Sequence, residues 1–367
     1  MAGYLDKLGK DIARWRASGL IDAATATALE ADARAHHRAG FSFGSILMIL
    51  AATLFGAALL LAVAANWEAI PRLVRVGGIF AVLIAGYAGG AFAQGRGHHA
   101  IAEGLWLVAA VAFGGGIALI GQMYHLSGDE ADALFVWALG TSFAAAGLRS
   151  GPLTAGAVLL AASWMVFVFA EGGPGRDIPV GYLVFAAALW AISLWTASVT
   201  ARHLILLSLM LFVVLLYVED ELLFVPMLLA ALSVAIVVFA SQRPALADRV
   251  SGLGDGLAVQ GLLGCIAGMS IVQAKLYEGP YFLPVAIIVF ACIVGALLLS
   301  GRDNRALRWL AYAGFIFELG FVYLTLLDTM LGTAGFFFMA GLLLALLAWL
   351  ISRVEKRLAA PEAGEGA

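Results

Sequence analysis

The sequence predicts an all-α membrane protein, a polytopic bundle of about twelve transmembrane helices entered through a small N-terminal helical hairpin. Three observations predict it. The chain is 63% hydrophobic and only 12% charged, far from soluble globular usage. Its apolar residues gather into about twelve blocks between Phe41 and Arg353. The cations between those blocks fall on alternate loops.

The first 42 residues stand before the blocks. Leu5, Leu8, Ile12 and Trp15 share one face at helical spacing, with Lys7, Asp11, Arg14 and Arg16 around the rest. Gly19 suits a left-handed helix end, and Asp22 is placed to cap a second, Ala-rich helix reaching about His37. A hairpin this small holds no large core, so its apolar stripe needs a surface: the bilayer, the cytoplasmic loops or another chain. This stretch is too long and too acidic for a secretory leader.

Crossing about 30 Å of hydrocarbon takes roughly 20 mostly apolar residues. By that rule the spans are 43–65, 74–94, 101–122, 131–148, 152–170, 178–199, 203–218, 221–240, 254–273, 281–300, 306–327 and 330–352. Two strain the rule: 203–218 is short, and 131–148 opens with Ala131-Asp132. Without them the count is ten or eleven. The charges favour twelve. With the N-terminus inside, 17 of the 21 Lys and Arg residues face the cytoplasm, and only Arg72, Arg75, Arg176 and Lys275 lie outside. Cationic loops resist translocation, so the expected topology is N-in and C-in. The domains are then the cytoplasmic hairpin 1–42, the transmembrane bundle 43–353 and a cytoplasmic tail 354–367 of disordered composition.

Small residues recur at helix-pairing spacing. Gly86 and Gly90 form one small-xxx-small pair, Gly264 and Gly268 another, and Gly114-Gly115-Gly116 runs through the third span. Glycine lets helix backbones approach where lipid gives no hydrophobic drive between them. A triple glycine can instead break a helix and expose carbonyls, as in transporters. Cys265 and Cys292 lie in apolar spans as small packing residues.

Ionisable groups at membrane depth are costly, which makes each a functional candidate. Glu318, in Phe315-Ile316-Phe317-Glu318-Leu319-Gly320, lies near the middle of the eleventh span with no local charge partner. It is expected either to be protonated and hydrogen-bonded to an adjacent span, or to line a polar cavity. Glu103 lies one turn inside the cytoplasmic end of the third span, and Gln260 suits interhelical glue.

At the outer boundary, Arg72 and Arg75 follow Asn66-Trp67-Glu68. The next outer loop reads Gly121-Gln122-Met123-Tyr124-His125-Leu126-Ser127-Gly128-Asp129-Glu130. Ser127 and Glu130 have capping-box spacing. Arg75, Gln122, Tyr124, His125 and Asp129, with Glu318, are the candidate ligand-binding residues. The structural alternative is a set of salt bridges from Arg72 and Arg75 to Asp129, Glu130 and Asp132 that ties two hairpins together.

The Trp15-Arg16-Ala17-Ser18-Gly19-Leu20-Ile21 element, Asn66-Trp67 and the run from Gly121 to Asp129 with Trp137 beyond resemble the bacterial predicted-membrane-protein family known as domain of unknown function 2157. The likeness covers roughly residues 10–150. It implies a multi-pass bacterial inner-membrane protein and marks 121–129 as a hallmark. It implies no catalytic role.

Other chemistries lack their residues. No metal site is expected, because His98-His99 has no Cys or carboxylate at ligand spacing. No phosphate loop, nucleophile elbow or intramembrane protease pair stands in the sequence, so no cofactor and no catalytic residue is expected. A formal charge of −3 argues against a nucleic-acid partner. The expected partners are the lipid bilayer and either another membrane protein or a second copy. Transport or flipping of a small solute or lipid-linked molecule ranks first, since about twelve spans exceed what a scaffold needs. A membrane sensor or assembly subunit is the alternative, and an enzyme of lipid-linked substrates at the outer polar run comes third.

Overall fold

The computed structural model describes residues 2–36, 70–124, 129–172, 180–301 and 304–326, with isolated positions within 47–65 and 337–345. These residues are mainly helical, with no strand among them. The helices are α1 (Ala2–Ala17), α2 (Ala23–His36), α3 (Arg72–Gly95), α4 (His99–Tyr124), α5 (Glu130–Leu148), α6 (Gly151–Gly172), α7 (Gly181–Trp195), α8 (Val199–Asp220), α9 (Phe224–Gln242), α10 (Pro244–Ser251), α11 (Gly256–Lys275), α12 (Phe282–Ser300) and α13 (Arg305–Leu326). The chain divides into two compact units, residues 1–75 and 76–367.

In the first unit, α1 and α2 form the hairpin. Gly19 ends α1 with φ +73, a conformation that costs a side-chain-bearing residue strain, and Leu20 N donates back to Trp15 O at 2.9 Å. Asp22 caps α2 by accepting from Thr25 N at 2.8 Å. The Thr25 hydrogen bonds hold its carboxyl below the usual aspartate range. Ile12 and Ala26, at 2% and 5% exposure, seal the two helices together. The side chains of Leu5 and Leu8 lie outside the described residues. Ile12→Asp puts a charge into that seal. Limited proteolysis is expected to show faster cleavage near Gly19, with the membrane helices untouched; an unchanged pattern would mean that Ile12 does not hold the hairpin closed.

The second unit is the bundle. Ten of the twelve predicted blocks coincide with α3–α9 and α11–α13; the blocks at 43–65 and 330–352 lie largely outside the described residues. Among the described residues, nine helices are long and apolar enough to cross a membrane. The short one differs from expectation. The block at 203–218 belongs to a 22-residue α8, and 131–148 to a 19-residue α5, whereas α7 spans only 15 residues. It stops at Trp195 because Ala197 turns left-handed (φ 53) and Ser198 caps α8 by accepting from Ala201 N. The short polar helix α10 begins with Pro244, whose missing N–H costs nothing at a helix start.

Consecutive helices pack against each other, and the core falls into neighbouring clusters. One joins α5, α6, α7 and α8 around Leu189, Met165 and Tyr182; another joins α9, α11, α12 and α13 around Leu262, Val289, Ile293 and Leu307. Helix α8 also packs against α9 and α11, which links the two.

Glycines set the closest approaches. Positions 261, 264 and 268 lie along one stripe of α11 against α9: a Cβ at Gly261 would sit 2.9 Å from Ser233 O, and one at Gly268 would sit 2.6 Å from Pro226 O. Gly86 meets Ala109 across α3 and α4 in the same way. The triple glycine does not break its helix, since α4 runs unbroken through 114–116. Instead Gly114 lies under the indole of Trp137, whose Nε1 donates to Ala110 O at 2.8 Å. The device repeats one helix earlier, where Gly90 lies under Trp106 and its Nε1 donates to Tyr87 O at 3.3 Å. In each case glycine leaves the room for a ring, and the ring's N–H finds a carbonyl one turn away.

Candidate functional site

A group of polar side chains in the second unit ties together one end of the bundle. Ser150 donates to Glu103; Ser198 Oγ donates to Gly151 O at 3.1 Å; Arg202 Nη1 donates to Ser251 O at 2.9 Å; Asn304 Nδ2 donates to Asp255 O at 2.7 Å. The turns after α5, α7, α10 and α12 are thereby held in a polar belt, the same alternate loops that the cations mark. Glu103 is a member of this belt. Beside it, Gln260 Nε2 and His203 Nδ1 lie 3.0 Å apart. These contacts join neighbours and read as structure.

One polar pair stands apart, deep between α11 and α13. Glu318 is 1% exposed and Gln273 0%. Gln273 Nε2 donates to Glu318 Oε1 at 2.7 Å. The remaining oxygens, Gln273 Oε1 and Glu318 Oε2, are buried and have no hydrogen-bond partner. Ser270 Oγ, one turn before Gln273, is in the same condition. The surroundings are apolar: Val272, Phe282, Phe315 and Val322 all belong to the same buried cluster. Sequence reasoning found Glu318 but missed Gln273. Its place two residues before Lys275 makes the amide read as interfacial. The helix turns Gln273 inward, while Lys275 reaches Glu221 at the surface.

The other sequence-named residues do not share one described pocket. Arg75 belongs to the first unit, where its Nε donates to Ile70 O at 2.7 Å. Gln122 and Tyr124 are exposed on the last turn of α4, Tyr124 at 54%. His125 lies outside the described residues, as does Ser127. Asp129 caps α5 by accepting from Ala131 N at 3.2 Å, so the side chain seen capping this helix is Asp129, with Glu130 as the first helical residue. Glu318 is joined to α11 by Gln273, and no described contact joins it to Gln122, Tyr124 or Asp129.

No curated protein and no solved structure matches the chain. The bundle is that of a helical, multi-pass membrane protein, and residues 13–154 match the model of the family described as Predicted membrane protein (DUF2157).

Proposed function

We propose that the chain is a bacterial inner-membrane transporter or flippase that moves a small solute or a lipid-linked molecule, with Glu318 as its ionisable element. The observation that carries this reading is the Gln273–Glu318 pair, buried in apolar surroundings with two oxygens unfilled. An ionisable side chain at membrane depth is costly, and an amide at 318 could make the structural bond to Gln273 without one, so what the carboxyl adds is an exchangeable proton. Arg75, Gln122, Tyr124, His125 and Asp129 are kept as proposed ligand-binding residues, each on the outer side in the N-in and C-in topology that the alternate cations support.

Proteoliposomes test it. An internal pH-sensitive dye reports proton movement, and dithionite quenching of an NBD-labelled phospholipid reports flipping. Either signal above that of empty vesicles, and lost in Glu318→Gln, is the expected result. Signals equal to empty vesicles in both assays favour the second reading, a sensor or assembly subunit. That reading draws on the near-zero exposure of Glu318 and on its hydrogen bond to a neighbouring helix.

Orientation has its own test. Membrane-impermeant thiol labelling from the periplasmic side is expected to modify a cysteine introduced at Ser127 and to spare one at Asn304. Labelling at Asn304 would overturn the twelve-span topology.

A further inference from the structure

We infer that Glu318 and Gln273 form a single-proton site, a cyclic acid–amide pair in which the Glu318 carboxyl is un-ionised and its Oε2 hydroxyl donates to Gln273 Oε1. A primary amide and a carboxylic acid can join face to face through two antiparallel hydrogen bonds. The first is amide N–H to acid carbonyl, and the structure contains it as Gln273 Nε2 to Glu318 Oε1 at 2.7 Å. The second is acid O–H to amide carbonyl. The two heavy atoms it would join, Glu318 Oε2 and Gln273 Oε1, are the two that are buried without a partner. One proton on Oε2 satisfies both at once, because it turns an acceptor into a donor opposite an empty acceptor.

The helices around the pair place no described cation on it. The titratable groups they carry are Cys265 and Lys275 on α11, Cys292 on α12, and Arg305, Arg308, Tyr312 and Tyr323 on α13 itself. Helix α9 carries none, and α8, which also packs on α11, carries Arg202, His203, Tyr217, Glu219 and Asp220. Arg202 and His203 are engaged at the far end of the bundle, by Ser251 and Gln260. Lys275 is engaged by Glu221, and Glu318 has no ion pair with any described residue. An ionised carboxylate there would set two acceptor oxygens against each other in an apolar core with no cation between them. Loss of the proton to water breaks the second hydrogen bond and loosens α13 from α11. The proton is therefore also the coupled species of the proposed transporter; that step rests on the transport reading, while the pair itself rests on the hydrogen-bond geometry.

Infrared difference spectroscopy on the purified full chain in nanodiscs, titrated with pH in potassium and again in sodium buffer, tests the pair without any transport assay. The expected result is a hydrogen-bonded carboxylic-acid C=O band that is absent in Glu318→Gln, whose amide–amide pair preserves the fold. In Gln273→Met the band should shift toward that of a free acid. Thermal unfolding followed by tryptophan fluorescence should show wild type losing stability as pH rises until the proton leaves, with Glu318→Gln flat over the same range. A carboxylate band at every pH, or a band displaced by sodium at constant pH, would overturn the proton site in favour of a bound cation. An acid band together with vesicle signals at background would leave the pair standing and sink transport; vesicle signals without the band would do the reverse.

Discussion

Gly268→Leu is expected to separate α11 from α9 and to cost about 3 kcal/mol or more, the upper range for overpacking a close contact. The reason is the identity of the atoms it meets. A Cβ at this position would lie 2.6 Å from Pro226 O and 3.1 Å from Ala230 N, both backbone, so no side-chain rotation relieves it. The whole of α9 would have to move, and with it the contacts at Gly261 and Gly264 on the same stripe. Thermal unfolding in detergent measures the loss. Gly295, on α12 with open space around its Cβ position, is the control: Gly295→Ala should be close to neutral. Equal melting temperatures for wild type and Gly268→Leu would mean that α9 and α11 are not held at this distance.

Gly114→Ala is expected to cost about 2–3 kcal/mol, from overlap with a ring and from the hydrogen bond that the ring then loses. Here the obstacle is a side chain, the Trp137 indole, fixed by its bond to Ala110 O. That difference makes the prediction separable from the first. Trp137→Phe removes the N–H and much of the ring volume, so adding it to Gly114→Ala should recover part of the loss. A double-mutant cycle is therefore expected to show coupling between the two positions, whereas strictly additive costs would mean that the ring and the glycine do not interact.

Several local features were readable because they depend on few neighbours. Gly19 and Asp22 end and start helices by backbone conformation and by a bond three residues away, and the structure places them as expected. Gly86, Gly90, Gly264 and Gly268 stood out by spacing alone, and each meets a neighbouring helix. Helix lengths were less legible. A block of apolar residues does not say where a turn cuts it, and Ala197 with Ser198 shortens α7 while lengthening α8.

The sequence by itself determined the membrane class and the positions of most helices, because hydrocarbon imposes a length and a composition on each segment separately. It also singled out Glu318, since one carboxylate in an apolar span needs no partner to be conspicuous. Only the tertiary structure decided what Glu318 meets. Gln273 lies 45 residues away on another helix, and its pairing depends on how α11 and α13 are rotated about their own axes. The same holds for the indoles over Gly90 and Gly114 and for the carbonyls under Gly268. Rotation and depth are set by packing every helix at once, and no segment carries that information alone.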